Sequence, residues 1–299
     1  MDGLAAIAVS GLRKSYGAVE AVRDISFEVA PGEVFALLGP NGAGKTTTVE
    51  ILEGYRRRDA GSVSVLGLDP EHGGVRLRER VGIVLQECGI EELLTPREVL
   101  ERQAAYYPKP RPVEEVIGLV DLAEKARARI RTLSGGQRRR LDLALALVGD
   151  PDLIFLDEPT TGFDPQARRN AWDLIKRLGG LGKTILLTTH YMEEAQYLAD
   201  RVAVIAAGRV VALGTPDSIG GRDTGATQIR FTLPDGRLPA ELPVAARLDG
   251  GSVVIEAADP TRVLHVLTGW ALERGIALGG LTVTRRSLED AYLDLVEPR

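Results

Sequence analysis

The chain has 299 residues, enough for roughly two domains, and 44% of them are hydrophobic, ample for a sizeable core. Its 37 basic and 42 acidic side chains give a net charge of −5 and a pI near 5.5, which argues against a nucleic-acid-binding surface. No apolar run approaches the roughly eighteen residues of a membrane span, and residues 1–7 lack the basic flank and long apolar segment of a secretory signal. A single cysteine, Cys88, permits no internal disulfide and suits a reducing compartment.

From the amino terminus, residues 5–33 and 61–67 show short alternating patterns, 25–29 among them, that suit an antiparallel sheet. Residues 34–38 form an apolar run that reads as a buried strand, and residues 46–52 read as the start of a helix. Between them, Gly39-Pro40-Asn41-Gly42-Ala43-Gly44-Lys45-Thr46-Thr47 fits the phosphate-loop pattern G-x-x-x-x-G-K-[ST]. The glycines let backbone amides approach phosphate oxygens, Lys45 can reach the β- and γ-phosphates, and the Thr46 hydroxyl can ligate Mg2+.

Residues 81–85 form another apolar strand, and residues 88 to about 148 turn helical, with Pro96, Pro108, Pro110 and Pro112 at helix edges. Within this region Leu133-Ser134-Gly135-Gly136-Gln137 opens a helix, with Ser134 as its cap and Leu141, Leu145 and Val148 as its apolar stripe. Arg138, Arg139 and Arg140 read as a solvated basic face. Residues 151–214 return to strand–helix alternation, completing a mostly parallel sheet. There the buried strand 153–156 ends in Asp157 and Glu158, before Pro159. Two adjacent acids at such a strand end are costly to desolvate unless they face a cation or a cleft. Asp157 suits an Mg2+ shell, and Glu158 suits a general base or positioner of attacking water. The strand Thr184–Thr189 runs into His190, whereas His72 and His265 read as structural. Beyond a glycine-rich linker at 219–225, strands at 228–233, 252–257 and 278–285 and a helix at 260–274 make a small α+β appendage.

The order Tyr16, phosphate-loop, Gln86, Leu133-Ser134-Gly135-Gly136-Gln137, Leu156-Asp157-Glu158-Pro159, Asp164 and His190 resembles the nucleotide-binding subunit of an ATP-binding cassette (ABC) transporter, over roughly residues 7–214. The resemblance implies an α/β, ABC-type P-loop ATPase with a mostly parallel core sheet, an antiparallel β subdomain and a helical subdomain at about 88–148. The nucleotide-binding domain would then span 1–219 and the C-terminal α+β domain 220–299. It also implies ATP and Mg2+ as ligands. Gln86 would meet Mg2+ or the attacking water beside Thr46 and Asp157, His190 would contact the γ-phosphate, and Tyr16 would stack on adenine. In the family, Ser134 and Gly136, within the segment that includes Gly135 and Gln137, close over the nucleotide of a second copy, and Asp164 lies in the loop through which the copies sense each other. Phe163 departs from the usual leucine before that aspartate.

The resemblance extends to the drug-resistance type of exporter ATPase, such as the daunorubicin-resistance group, in the stretch from Gly135 to Ala144 and in the ending Ser287-Leu288-Glu289-Asp290-Ala291-Tyr292-Leu293. Members of that group often carry methionine where this chain has Gln137. Likeness to this type implies a homodimer sandwiching ATP, peripheral on the cytoplasmic face of the membrane and driving a separate permease that exports drugs, antibiotics, lipids or similar hydrophobic cargo, with no nucleic acid bound. The alternative is a soluble ABC ATPase acting on ribosomes or DNA. Such proteins often fuse two cassettes or insert coiled coils or zinc sites, and this chain shows one cassette and neither insertion.

Overall fold

The structure, a computed structural model, describes residues 5–84, 89–219, 227–234, 239, 241–285 and 292. Gln86, Leu85 and Cys88, most of the glycine-rich linker and all of the ending 287–293 except Tyr292 lie outside the described residues. The chain divides into two compact units, Met1–Leu213 and Gly214–Arg299.

The first unit opens with β1 (Ile7–Tyr16) and β2 (Val19–Val29), an antiparallel hairpin turned at Gly17, whose φ of 61° is accessible to glycine at little cost. With β4 (Ala60–Val65) they form a three-stranded sheet in the order β2-β1-β4. Alternation along these strands turns Ile7, Val9, Leu12, Ile25, Phe27 and Val29 inward, and Phe27 stacks on Phe35 at 5.2 Å between ring centroids.

Phe35 belongs to β3 (Val34–Leu38), buried at all of its positions, as a central strand covered on both faces must be. It lies inside a six-stranded sheet of order β5-β6-β7-β3-β8-β9, built with β5 (Val81–Val84), β6 (Leu153–Asp157), β7 (Thr184–Thr189), β8 (Arg201–Ala206) and β9 (Arg209–Gly214). β5, β6, β7, β3 and β8 run parallel. Helices α1 (Lys45–Leu52), α2 (Gly74–Arg78), α6 (Pro165–Gly180) and α7 (Met192–Leu198) connect these strands. The register sets Leu38 beside Thr189 and Asp157 beside Thr188, so the loops leaving β3, β6 and β7 emerge side by side at the carboxyl edge.

The region after β5 is helical. α3 (Pro96–Ala104) starts at a reciprocal cap between Thr95 and Glu98, with Pro96 in its first turn; α4 (Val113–Leu119) and α5 (Gly135–Leu147) follow, separated by 3-10 turns at Ala123–Lys125 and Ile130–Thr132. These helices pack through buried Leu100, Val116, Ile117, Leu141 and Leu143.

The second unit begins at a short turn of helix, α8 (Pro216–Ile219), and carries an antiparallel sheet of order β11-β12-β10-β13. Its strands are β10 (Thr227–Thr232), β11 (Arg247–Asp249), β12 (Ser252–Ala257) and β13 (Gly279–Arg285). One face packs Ile229, Phe231, Val253 and Ile255 against Leu267, Trp270 and Ala271 of α9 (Pro260–Arg274). β11 is an addition to the sequence expectation; three residues ending in charge leave no alternation to detect.

Candidate functional site

The phosphate-loop closes between the end of β3 and the start of α1. Gly44, at the N-cap of α1, has φ 102°, and a β-carbon there would stand 2.4 Å from the Ala21 carbonyl oxygen; at Gly39 one would stand 2.2 Å from the Ile205 carbonyl oxygen. Gly42, at φ 80°, faces open space. The N-cap offers no side-chain acceptor, so the first-turn amides of α1 remain for an external anion. Pro40, Asn41 and Thr46 are exposed, Thr47 half-buried, and Ala43 buried. Lys45 is only 4% exposed, and its Nζ donates to the carbonyl oxygens of Gly39 (2.7 Å) and Pro40 (3.1 Å). Desolvation lowers its pKa, and nearby Glu158 and Asp157 oppose that shift. A buried cation folded onto its own loop is the kind of group that an arriving phosphate can recruit.

The carboxylates stand opposite. Asp157 accepts a hydrogen bond from the Thr188 hydroxyl, which also accepts from the Glu158 N–H at 3.0 Å. Burial pushes the Asp157 carboxyl up, and the Thr188 hydrogen bond pulls it back. The Glu158 side chain is 11% exposed; its Oε1 lies 3.8 Å from Lys45 Nζ and 3.2 Å from His190 Nδ1, and its Oε2 accepts from the Thr161 hydroxyl at 3.0 Å. The histidine approach has ion-pair distance without hydrogen-bond geometry, so Nδ1 keeps unused hydrogen-bonding capacity. The structure therefore brings Lys45, Asp157, Glu158 and His190 to one place. Behind them, Glu53 at the end of α1 is buried, and burial followed by the charges of Asp157 and Glu50 pushes its pKa up to about 8.

Tyr16 ends β1 in the same hairpin whose Ala21 touches Gly44. Its half-exposed ring has the Arg56 guanidinium 5.4 Å and the Lys14 ammonium 5.6 Å from the centroid, both within cation–π range.

Ser134 caps α5 through a reciprocal pair: its hydroxyl accepts from the Gln137 N–H, and its own N–H donates to Gln137 Oε1 at 3.0 Å. Gln137 is thus engaged on its own helix, while Gly135 and Gly136 have open space where side chains would be. Asp164 caps α6, accepting from the Ala167 N–H at 2.8 Å. Both helix starts line an open cleft of about 650 Å3, together with Arg139, Thr161 and Asn170.

One sequence expectation needs correction. Arg138 and Arg140 sit on the helix surface, paired with Glu92 and Asp121, but Arg139 is buried at 8% exposure. Its Nε donates to the Pro159 carbonyl at 3.2 Å, and its NH1 is 3.7 Å from Asp142. Arg139 stands four residues before buried Leu143 and so falls on the helix face that packs inward, whereas Arg138 and Arg140, about 100° to either side, reach solvent. Thr188, Thr161 and Glu53 also escape sequence reasoning. Glu53 alone carried a signal, lying four residues after buried Val49 on one helix face.

The donor set fits magnesium chemistry: a hydroxyl from Thr46 and a carboxylate from Asp157 are hard oxygens. Among the described residues no group of three or more His, Cys, Asp or Glu could hold a metal; Mg2+ is ordinarily bound through one or two protein oxygens together with substrate phosphates and water.

Residues 22–161 match the ABC transporter family, and residues 227–287 match the C-terminal domain of ABC transporter domain-containing protein-like sequences. The chain is 39% identical over 303 residues to daunorubicin resistance ATP-binding protein DrrA3 of Streptomyces coeruleorubidus, covering 97% of this chain and 95% of the relative. It is 42% identical over 303 residues to Nod factor export ATP-binding protein I of Rhizobium johnstonii, covering 97% and 94%. Among solved structures, cbiO1 from Clostridium perfringens, part of the ABC transporter complex cbiONQ, superposes with a TM-score of 0.67 at 27% identity, covering 73% of this chain and 92% of that one.

Proposed function

The chain belongs to the ABC transporter ATP-binding family and is an ATPase, and from that premise we propose that it powers a separate membrane permease exporting drugs, antibiotics, lipids or similar hydrophobic cargo. The observation that carries the ATP-hydrolysing part of this reading is the convergence of Lys45, Asp157, Glu158 and His190 at the carboxyl edge of one parallel sheet; the likeness to ABC transporter subunits over nearly the whole chain supports the coupling to transport. The export named for the Nod factor relative supports the direction of transport. Among the described residues no helix is long and apolar enough to cross a membrane. The proposal assigns the pathway to another chain and, from the family likeness, this one to the cytoplasmic face of the membrane.

The loop amides from Gly39 to Thr47 and Lys45 bind the phosphates, and Tyr16 stacks on adenine. Incoming phosphate oxygens replace the Gly39 and Pro40 carbonyls as acceptors for Lys45 and draw its charge from Glu158. Glu158 is then available to accept a hydrogen bond from attacking water and take its proton. His190, whose side chain is partly exposed beside Glu158, contacts the γ-phosphate. Thr46 and Asp157, with Gln86, would hold Mg2+, which would supply positive charge to offset that of the phosphates. In a homodimer, Ser134, Gly135, Gly136 and Gln137 of one copy close over the nucleotide of the other, and Asp164 reports the neighbour's state. ATP thus closes the dimer and hydrolysis reopens it, which gates a conformational cycle in the permease.

The test is affinity purification of tagged Glu158→Gln chain, trapped with ATP and Mg2+, from detergent-solubilised cells, with bound proteins identified by mass spectrometry. A polytopic membrane protein in near-equal amount is the expected result. Recovery of ribosomes or DNA machinery, with no membrane partner, would overturn the transporter reading in favour of a soluble ATPase.

A further inference from the structure

We propose that Arg139 is a positioning residue for Glu158: its buried guanidinium holds the backbone just beyond that carboxylate and so ties the hydrolytic geometry to the helix that starts at Ser134. This rests on the water-polarising role given to Glu158 above.

The backbone at Glu158 is strained, with φ 44°, in the left-handed region that a β-carbon disfavours. Such a conformation persists where neighbours over-determine it. On the upstream side the Glu158 N–H donates to both the carbonyl (3.2 Å) and the hydroxyl (3.0 Å) of Thr188 in β7. On the downstream side the next residue is Pro159, which has no N–H and presents its carbonyl as its backbone hydrogen-bonding group. Arg139 Nε donates to that carbonyl at 3.2 Å, inside the protein. One residue further, Thr160 donates to Glu194 at 2.7 Å, a carboxylate that is 0% exposed and also accepts from Trp172 Nε1 at 2.8 Å. The segment after β6 is therefore held from β7, α5 and α7 at successive residues.

Of these three supports, α5 is the one whose N-terminus lines the open cleft. Arg139 is its fifth residue, within two turns of the Ser134 cap, so only about 8 Å of hydrogen-bonded helix axis separates the two. A displacement at the Ser134 end reaches the Pro159 carbonyl through one side chain. Burying a guanidinium demands compensation, and Asp142, one turn along, lies 3.7 Å away. Burying a guanidinium is costly, and here its Nε is spent on the carbonyl directly after Glu158, whose position governs that side chain.

The test uses the full-length chain, measuring single-turnover hydrolysis and the affinity of a fluorescent ATP analogue for wild type, Arg139→Gln, Arg139→Lys, Glu158→Gln and the Arg139→Gln/Glu158→Gln pair. Arg139→Gln is expected to slow hydrolysis roughly tenfold to a hundredfold with analogue affinity unchanged, because small misplacement of a reacting group costs rate rather than binding. Arg139→Lys should fall between it and wild type, since an ammonium can still donate to one carbonyl. The double variant should be no slower than Glu158→Gln, because a positioner has nothing left to position. Wild-type hydrolysis in Arg139→Gln or Arg139→Lys overturns the proposal. So does a double variant slowed below Glu158→Gln by the full Arg139→Gln factor, the signature of a merely structural role. If Arg139→Gln fails to fold, the same comparisons with Arg139→Lys decide the matter. Wild-type hydrolysis in Glu158→Gln would instead remove the reading beneath it.

Discussion

Replacing Glu53 with glutamine removes a carboxyl that the fold buries at the end of α1 and surrounds with negative charge. Burial first, then Asp157 and Glu50, raise its pKa from 4.5 to about 8. At neutral pH the folded chain therefore holds a proton there that the unfolded chain releases. Because the folded value is the higher one, the stability linked to this group is intact below 4.5 and is lost as pH rises through about 8. Each pH unit in that window costs up to about 1.4 kcal/mol, so the whole interval is worth at most about 5 kcal/mol. Glutamine has nearly the shape of the protonated acid and cannot ionise. The Glu53→Gln variant should match wild type near pH 5 and exceed it by several kcal/mol at pH 9. Urea unfolding of the nucleotide-free full chain at a series of pH values measures this, followed through Trp172 in a Trp270→Phe background so that the signal comes from the first unit. Since Asp157 is also pushed up, part of the relief passes to it and shifts the window without reversing the sign. Stability curves that stay parallel from pH 5 to 9 would refute the reasoning.

Other perturbations separate the roles of the site residues. Glu158→Gln should preserve ATP binding and lower turnover by at least about a hundredfold, the scale of a lost general base; undiminished ATPase activity would take Glu158 out of that role. Lys45→Ala should weaken binding itself, by roughly tenfold to a hundredfold in Kd for the loss of a charge-assisted bond, as read by titration with a fluorescent nucleotide. Truncation after Gly220 should leave nucleotide affinity intact, because Lys45, Asp157, Glu158 and His190 all lie in the first unit, while lowering assembly with the permease or transport. Unchanged assembly and transport would show that the C-terminal unit supports neither.

The nucleotide edge was legible because each part is encoded over a few consecutive residues. A glycine-rich turn between an apolar run and a helix, and two acids closing another apolar run, carry their own context, and β3, β6 and β7 form where those runs stand. The helix at Pro260–Arg274 and strands β10, β12 and β13 were legible for the same reason. What the sequence hid depends on which side of an element faces the core. Arg139 looked like its neighbours Arg138 and Arg140, yet it precedes buried Leu143 by four residues and shares its face. Leu145, expected on the buried stripe, is only half-buried. The double duty of the Thr188 hydroxyl arises from strand register, which pairs it with Asp157 across a sequence separation of 31 residues. β11 is too short to carry a pattern.

The contacts around Gly39 and Gly44 bear on how this chain could diverge. A methyl group at either place meets a carbonyl oxygen of the protein's own scaffold, from Ile205 or Ala21, before any nucleotide arrives. Gly42 has no such neighbour. In a descendant released from nucleotide chemistry, Lys45 and Glu158 could drift while Gly39 and Gly44 stayed pinned by the architecture. Glycines at those two positions would then testify to an inherited fold, and the fate of the lysine and the carboxylate would tell whether the engine still ran.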